Sequence, residues 1–156
     1  MFFYDSPLGK ITIVEEGSAI TQLYFSSEVP YHDTPCSETA LLKKAVLQLD
    51  EYFAGKRKSF DLPLAPGGTA FQQKVWRALQ LIPYGQTRSY RQIAKAAGNE
   101  KAARAVGMAN NRNPLAIVIP CHRVIGSDGK LVGYGGGLDK KAYLLDLEKK
   151  GAGKEQ

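Results

Sequence analysis

The sequence predicts a small α/β unit, a sheet plus one helix, followed by a mostly helical domain that contains a helix-turn-helix. Three observations carry this expectation. Two β-rich runs and one amphipathic helical stripe fill the first third of the chain. A segment rich in Pro and Gly, residues 63–68, then interrupts the pattern. Beyond it, apolar residues return at helical spacing, broken by Gly98-Asn99 in the manner of a tight turn between two helices. The expected division is residues 1–64 and 65–156, two sub-domains sharing one core, as the 156-residue length permits.

Residues 8–14 and 20–25 are rich in β-branched and aromatic side chains and are separated by Glu15, Glu16, Gly17 and Ser18, which reads as a hairpin. Leu42, Ala45, Val46, Leu49 and Phe53 form the stripe of an amphipathic helix that Gly55 ends as the residue beyond the cap. This first third holds no visible catalytic constellation, and its expected role is structural. After the break, Phe71, Val75, Leu79 and Ile82 mark a helix that stops at Pro83. Ser89 and Gln92 have the spacing of a capping box, so a helix starts there and continues through Ile93, Ala94 and Ala97. Asn99 is a suitable N-cap for the next helix, expected over residues 100–110. Residues 115–119 are apolar and fit a buried strand or a buried extended loop equally well. They deliver the chain into Pro120, Cys121 and His122. A Gly-rich loop at 133–137 precedes a last helix over 138–150, and residues 151–156 read as a frayed tail.

The charge is uneven. Residues 1–64 hold six Lys/Arg against nine Asp/Glu, net −3, and residues 65–156 hold fifteen against six, net +9, which together give the overall +6. A basic half beside a mildly acidic one suits a polyanion met on one side, and also suits a surface tuned for solubility. Hydrophobic residues make up 44%, which argues against global disorder. No run approaches the roughly 20 apolar residues of a membrane span, and residues 1–5 lack the pattern of a signal peptide. Two cysteines, Cys36 and Cys121, do not make a disulfide framework. Free thiols in a reducing, cytoplasmic setting are expected.

Cys121 and His122 are adjacent and follow a proline that restrains the backbone. A thiol is a strong nucleophile once a base or a positive field favours the thiolate. Sequence neighbours seldom hydrogen-bond directly, so a bridging water between the two is expected. Taken alone, the dipeptide is better described as an inert buried cysteine with a chance neighbour. Glu148 adds to it, because it falls beside the apolar stripe of the last helix, where a carboxylate needs a partner. His122 could be that partner, as in a triad, or Glu148 could sit at the border with its head in water. Arg104 lies among Ala102, Ala103, Ala105 and Gly107, small residues that let a backbone approach a partner closely. Packing explains Tyr90 beside the cap, and a turn explains Asn113 before Pro114.

Together these elements resemble the O6-alkylguanine-DNA alkyltransferase family, whose mark stands intact as Pro120-Cys121-His122-Arg123-Val124. The resemblance takes in Val75-Trp76, Ile82-Pro83-Tyr84-Gly85, Thr87, Ser89-Tyr90, Ala102-Ala103-Arg104-Ala105-Val106-Gly107, Asn113-Pro114, Gly136-Gly137-Leu138, Leu144-Leu145 and Glu148. It covers the basic half in order and the N-terminal half more loosely. It implies that Cys121 accepts an alkyl group from O6-alkylguanine in DNA, once and irreversibly, with O4-alkylthymine open as a second lesion. His122 would take the thiol proton through a water, Glu148 would orient His122, and Asn113 would brace the surrounding loops. Tyr90 would help rotate the nucleotide and assist protonation of the leaving guanine, and Arg104 would fill the space of the extruded base. Ala103, Gly107, Arg112 and Arg123 would join Tyr90 and Arg104 in contacting DNA, the second helix lying in the minor groove. Val124, Tyr134, Gly135 and Ala116 would line the base pocket.

The chain departs from some relatives at Ala116, where they have proline, and at Gly135, where they have serine. Two small side chains imply a roomier pocket, an expectation that reaction with O6-benzylguanine checks. Some members hold a structural zinc near the N-terminus, but His32 and Cys36 supply two candidate ligands where four are normal, so no metal and no other cofactor is expected. The expected partner is double-stranded DNA, met by a monomer, with no membrane. Two rival readings use the same residues. A cysteine hydrolase would turn over and need no DNA, and a non-catalytic lesion sensor would bind without accepting the alkyl group.

Overall fold

In a computed structural model of the chain, the structure describes residues 2–25, 38–126, 129, 134 and 137–153. The chain opens with a strand that the sequence reading did not anticipate, β1 (Phe2–Ser6), followed by the expected hairpin of β2 (Gly9–Glu16) and β3 (Ala19–Phe25). The sheet is antiparallel in the order β1-β2-β3. Gly17 and Ser18 both have positive φ (59° and 67°), the geometry of a two-residue type I′ turn that matches strand twist. Residues 11–14 of the central strand are all buried, because one face meets α1 (Ala40–Phe53) and the other is covered as well. Thr39 caps α1, its hydroxyl accepting from the Leu42 amide at 3.1 Å, and Gly55 (φ 75°) follows the C-cap Ala54, as expected.

The buried stripe of α1 is rotated from the expected one. Leu42, Ala45 and Leu49 are buried with Gln48 and Tyr52, while Val46 and Phe53 are only half-buried. Gln48 is tolerated there because its amide pairs both ways with the Asp61 backbone, at 3.1 and 2.9 Å.

The edge of β3 ties the two halves together. Ile20 exchanges backbone hydrogen bonds with Pro63 and Ala65, and Leu23 does the same with Pro114 and Ala116. Past the connection, α2 (Ala70–Gln80) starts in a Thr69–Gln72 capping box and docks through Trp76, whose indole N–H donates to Ala109 O at 2.9 Å. Next come β4 (Arg88–Ser89), α3 (Tyr90–Ala96) and α4 (Ala103–Asn111), the helix-turn-helix. The Ser89–Gln92 capping box forms as read from the sequence. Gly98 (φ 96°) closes a Schellman motif, with Asn99 N–H donating to Ala94 O and Gly98 N–H to Lys95 O. Asn99 does not cap α4. Its side chain accepts from the Lys101 amide in a local turn, and α4 begins at Ala103 without a side-chain cap.

The 115–119 segment is neither a strand nor extended. It is a run of tight turns, with Ile117 at φ 70°, and a β-branched residue in that region costs about 1–3 kcal/mol unless its surroundings impose it. The segment ends in an inverse γ-turn: Cys121 N–H donates to Ile119 O at 2.7 Å across Pro120, whose φ −79° and ψ 65° suit that turn and are favoured by the pyrrolidine ring. A 3-10 turn (Cys121–Arg123) and β5 (Val124–Ile125) follow, β5 pairing in parallel with β4. The last helix, α5 (Leu138–Gly153), runs three residues beyond the expected end. Gly151 is buried against Tyr84, where a β-carbon would stand 2.1 Å from the phenol oxygen, so the helix is docked at 151 and continues to an exposed Gly153 instead of fraying from 151. Residues 154–156 of the expected tail lie outside the described residues.

Candidate active site

Pro120 and the 3-10 turn present Cys121 and His122 inward from adjacent positions, and β4–β5 pairing holds that turn beside the start of α3. Cys121 is buried, and its carbonyl accepts from Asn110 Nδ2 at 3.2 Å. Burial pushes the thiol up from its ordinary value, and Asn113, the charge of Lys141 and Tyr134 pull it only partway back. At rest, then, Cys121 is a thiol and needs a base. Asn113 braces the surrounding loop: its Nδ2 donates to Ile119 O at 2.8 Å and its Oδ1 accepts from the Leu115 amide at 2.9 Å.

His122 is fully buried, and its Nε2 lies 2.6 Å from Glu148 Oε2. Burial lowers its pKa against the opposing pull of Glu148, so the ring is neutral near pH 7. A neutral ring facing a carboxylate carries its proton on Nε2, which leaves Nδ1 as the basic nitrogen, and Nδ1 has no hydrogen-bond partner among the described residues. Glu148 reaches this position because α5 buries Lys141, Leu144, Glu148 and Gly151 along one face. Burial alone would raise the Glu148 pKa, but the hydrogen bond and charge of His122 and those of Arg123 outweigh it and hold the carboxyl at about 2. With His122 neutral, Arg123 is the cation that keeps Glu148 ionised.

Arg123 was expected on the DNA-facing side, and the structure turns it the other way. Its Nε donates to Glu148 Oε1 at 2.7 Å, one terminal nitrogen donates to Oε2 at 3.0 Å and the other to Ile82 O at 2.7 Å, with 7% of the residue exposed. A guanidinium so placed would leave a buried carboxylate unpaired if it swung out to a phosphate, which costs several kcal/mol. Two further residues of the site went unnoticed in the sequence. Tyr52 of α1 donates its hydroxyl to Glu148 Oε2 at 2.5 Å. Lys141 is fully buried, with its ammonium 6.0 Å from the Tyr90 ring centre, and burial lowers its pKa to about 8 against the opposing charge of Cys121. A polar side chain on a helix's apolar stripe is the one local sign of either, and it names no partner.

Tyr90, the first residue of α3, is half-buried, its pKa raised by burial and then by Cys121. Gly107 of α4 faces it, and a β-carbon there would stand 3.8 Å from the Tyr90 ring. Ala103, Arg104 and Gly107 occupy the first turns of α4, with Arg104 exposed. Arg112 is exposed at the opposite end of α4, beside Phe71 and Met108 and apart from that cluster. Of the expected pocket residues, Val124 is buried in the core, Ala116 is half-buried and Tyr134 sets its ring edge-on to Phe25 at 6.5 Å. Gly135, His32 and Cys36 lie outside the described residues. Among the described residues, no group of three or more His, Cys, Asp or Glu is placed to hold a metal ion, and no helix is long and apolar enough to cross a membrane.

Two family models match the chain: the ribonuclease-like domain of 6-O-methylguanine DNA methyltransferase over residues 2–66, and its DNA-binding domain over residues 70–150. The chain is 51% identical over 150 residues to a methylated-DNA–protein-cysteine methyltransferase of Methanosarcina acetivorans, covering 93% of this chain and 95% of that protein. It is 51% identical over 152 residues to the constitutive methylated-DNA–protein-cysteine methyltransferase of Bacillus subtilis, covering 93% and 92%. Among solved structures, it superposes on Mycobacterium tuberculosis OGT in complex with DNA with a TM-score of 0.91 at 49% identity, covering 96% of this chain and 92% of that one.

Proposed function

This chain belongs to the 6-O-methylguanine DNA methyltransferase family, and we propose from that premise how its own residues perform the reaction. Its activity is that of a methylated-DNA–protein-cysteine methyltransferase: it binds DNA and repairs O6-methylguanine.

Cys121 is the acceptor. Its thiol proton passes to His122 Nδ1 through a bridging water, and the sulfur attacks the methyl carbon in line. The S–C bond forms as the C–O6 bond breaks, the electron pair goes to the guanine, and a proton delivered with the help of Tyr90 neutralises it. Glu148 holds His122 in the tautomer that leaves Nδ1 open and stabilises the imidazolium that forms. Asn113 keeps the cysteine turn in place. The product is a thioether, and among the described residues no group in the site is suited to reverse it, so each molecule acts once.

The observation that carries this reading is the buried Glu148–His122 pair beside a thiol that needs a base. A methyl carbon inside a duplex cannot reach a buried sulfur, so the nucleotide is extruded, at a cost of a few kcal/mol. The exposed Arg104, flanked by small side chains on α4, is suited to take the vacated space from the minor groove. Exposed Arg112 adds a phosphate contact. Double-stranded DNA is the partner of a monomer, and the two-cysteine composition supports a reducing, cytoplasmic setting. The division at residues 1–64 and 65–156 is supported by the 63–68 segment and by two family models that match on either side of it.

Incubating the protein with a duplex carrying one O6-methylguanine should add a single methyl to its intact mass, on the Cys121 peptide, and nothing to Cys121→Ala. Binding without modification would instead favour a sensor, and neither binding nor modification would favour a hydrolase.

A further inference from the structure

We propose that Tyr52, from the N-terminal unit, is a positioning residue of the active site, its hydroxyl anchoring Glu148 and tempering the carboxylate's pull on His122. The first third of the chain, which looks structural in sequence, thereby completes the catalytic network. The proposal rests on the reading above of Glu148 and His122.

The geometry is specific. Tyr52 stands in the last turn of α1, fully buried, and its hydroxyl donates to the same oxygen, Glu148 Oε2, that faces His122. The ring is held on several sides, by Phe53 and Phe60 with centroids at 5.4 Å and by Tyr84 at 6.4 Å, so the hydroxyl has a fixed aim. Burial and then the charge and hydrogen bond of Glu148 raise its pKa well above the ordinary phenol value, so the hydroxyl is a donor at every working pH. Glu148 thus receives four hydrogen bonds, one each from Tyr52 and His122 and two from Arg123. Arg123 bridges both carboxylate oxygens, whereas Tyr52 and His122 compete for one.

That competition has a chemical consequence. A carboxylate oxygen shared with a second donor is a weaker acceptor, so it stabilises an imidazolium less. The Tyr52 hydroxyl therefore keeps His122 neutral and ready to accept a proton at pH 7, while Glu148 still fixes its tautomer. The other charged and titratable groups that act on the pair are Arg123 from the 3-10 turn and Lys141 from α5, both of which lower the His122 pKa, and Tyr84 from the loop after α2, which is coupled to Glu148. Tyr52→Phe leaves all of these in place, retains the ring and deletes only the competing donor.

The experiment compares wild type with Tyr52→Phe in two ways. The first is the pH profile of the single-turnover methyl-transfer rate constant. The second is the ring-nitrogen NMR titration of His122 in histidine-labelled protein, which is simple to assign because the chain has two histidines and His32→Gln removes the other. Loss of the hydroxyl should move both the acid limb of the rate profile and the His122 midpoint to higher pH, with rates at the alkaline plateau changing little. In the Glu148→Gln background, Tyr52→Phe should then have no further effect on the rate. Curves that coincide with wild type, or a midpoint that moves to lower pH, would overturn the proposal and leave Tyr52 as core packing, whatever its effect on thermal stability. The NMR arm needs no methyl transfer, so failure of the catalytic reading in the wild type would be distinguishable from failure of this one.

Discussion

Glu148 and Arg104 are both charged side chains on helices of the C-terminal half, and they represent two ways of using charge. Glu148 is 1% exposed and locked by four hydrogen bonds from three residues, while Arg104 is exposed on the first turn of α4. A buried carboxylate is tolerated only where its geometry is fully satisfied, so its neighbours are as constrained as it is. A cation presented to DNA meets a regular polyanion and keeps its freedom until the duplex arrives. On the proposed mechanism the buried cluster sets the chemistry and much of the local stability, and the exposed face sets access to the substrate. Substitutions in the two regions should fail in different ways.

The largest effect is expected at Glu148→Gln. An amide cannot accept all four bonds, because its NH2 group must face Arg123, His122 or Tyr52 as a donor against donors. Removing the charge of a buried pair costs about 3–5 kcal/mol, to be read in urea unfolding. Loss of the oriented base should slow transfer by roughly 10²–10⁴-fold in single-turnover assays. The same carboxyl gives the wild type its acid sensitivity. Its folded pKa, about 2, lies below the ordinary 4.5, so its stabilisation is full above 4.5 and disappears as pH falls through 2. Unfolding free energy measured across that window should fall steeply in wild type and be flatter in Glu148→Gln. Parallel curves would mean that the cluster does not carry the acid transition.

Arg104→Ala should sharpen the comparison from the other side. It leaves the buried cluster intact, so transfer from free O6-methylguanine base and the unfolding free energy should match wild type. Repair of the same lesion in duplex should slow by roughly 10–100-fold, the equivalent of a few kcal/mol of nucleotide extrusion. Equal losses on free base and duplex would show that α4 acts on the chemistry, and the distinction between the two regions would collapse.

A smaller effect, with opposite signs in stability and rate, is expected at Lys141→Met. The Lys141 pKa is lowered to about 8 from 10.5, so its contribution to stability is full above 10.5 and is lost as pH falls through 8. At pH 7 the buried ammonium is a burden of about 2–3 kcal/mol, and methionine should relieve part of it. The gain should fade in unfolding experiments as pH is raised through 8 toward 10.5. Transfer should nonetheless slow, because the charge of Lys141 favours the Cys121 thiolate. A variant that is both less stable and equally active would contradict this account.

Much of this molecule was legible in its local patterns. The hairpin, the capping box at Ser89 and the turn at Gly98 depend on residues close together, and local sterics decide them. The Glu148–His122 pair is open on the helical stripe alone, is implied by the family resemblance, and forms in the fold. Where local rules conflict, the reading missed. Asn99 suits an N-cap and a side-chain turn equally, and the turn forms. Residues 115–119 are apolar enough for a strand, but their hydrogen bonds to the edge of β3 and the turn into Cys121 force Ile117 into a left-handed conformation. Residues 151–153 look like a frayed end because glycine is a poor helix former, yet Gly151 is needed for the close approach of Tyr84.

Periodicity and turn chemistry are enough to place the hairpin, the main helices and the uneven charge of the two halves, and the Pro120–Val124 motif carries the family resemblance that implies Cys121 as acceptor and His122 as its base. Which polar groups close the buried network is settled by packing. Arg123 sits one residue from His122 and turns inward to Glu148, and Tyr52 reaches the same carboxylate from a residue 96 positions away. Nothing local marks such a pairing. It exists because a charge removed from water must be met by whatever donors the packed halves bring within reach, and that meeting is settled only when the chain has folded.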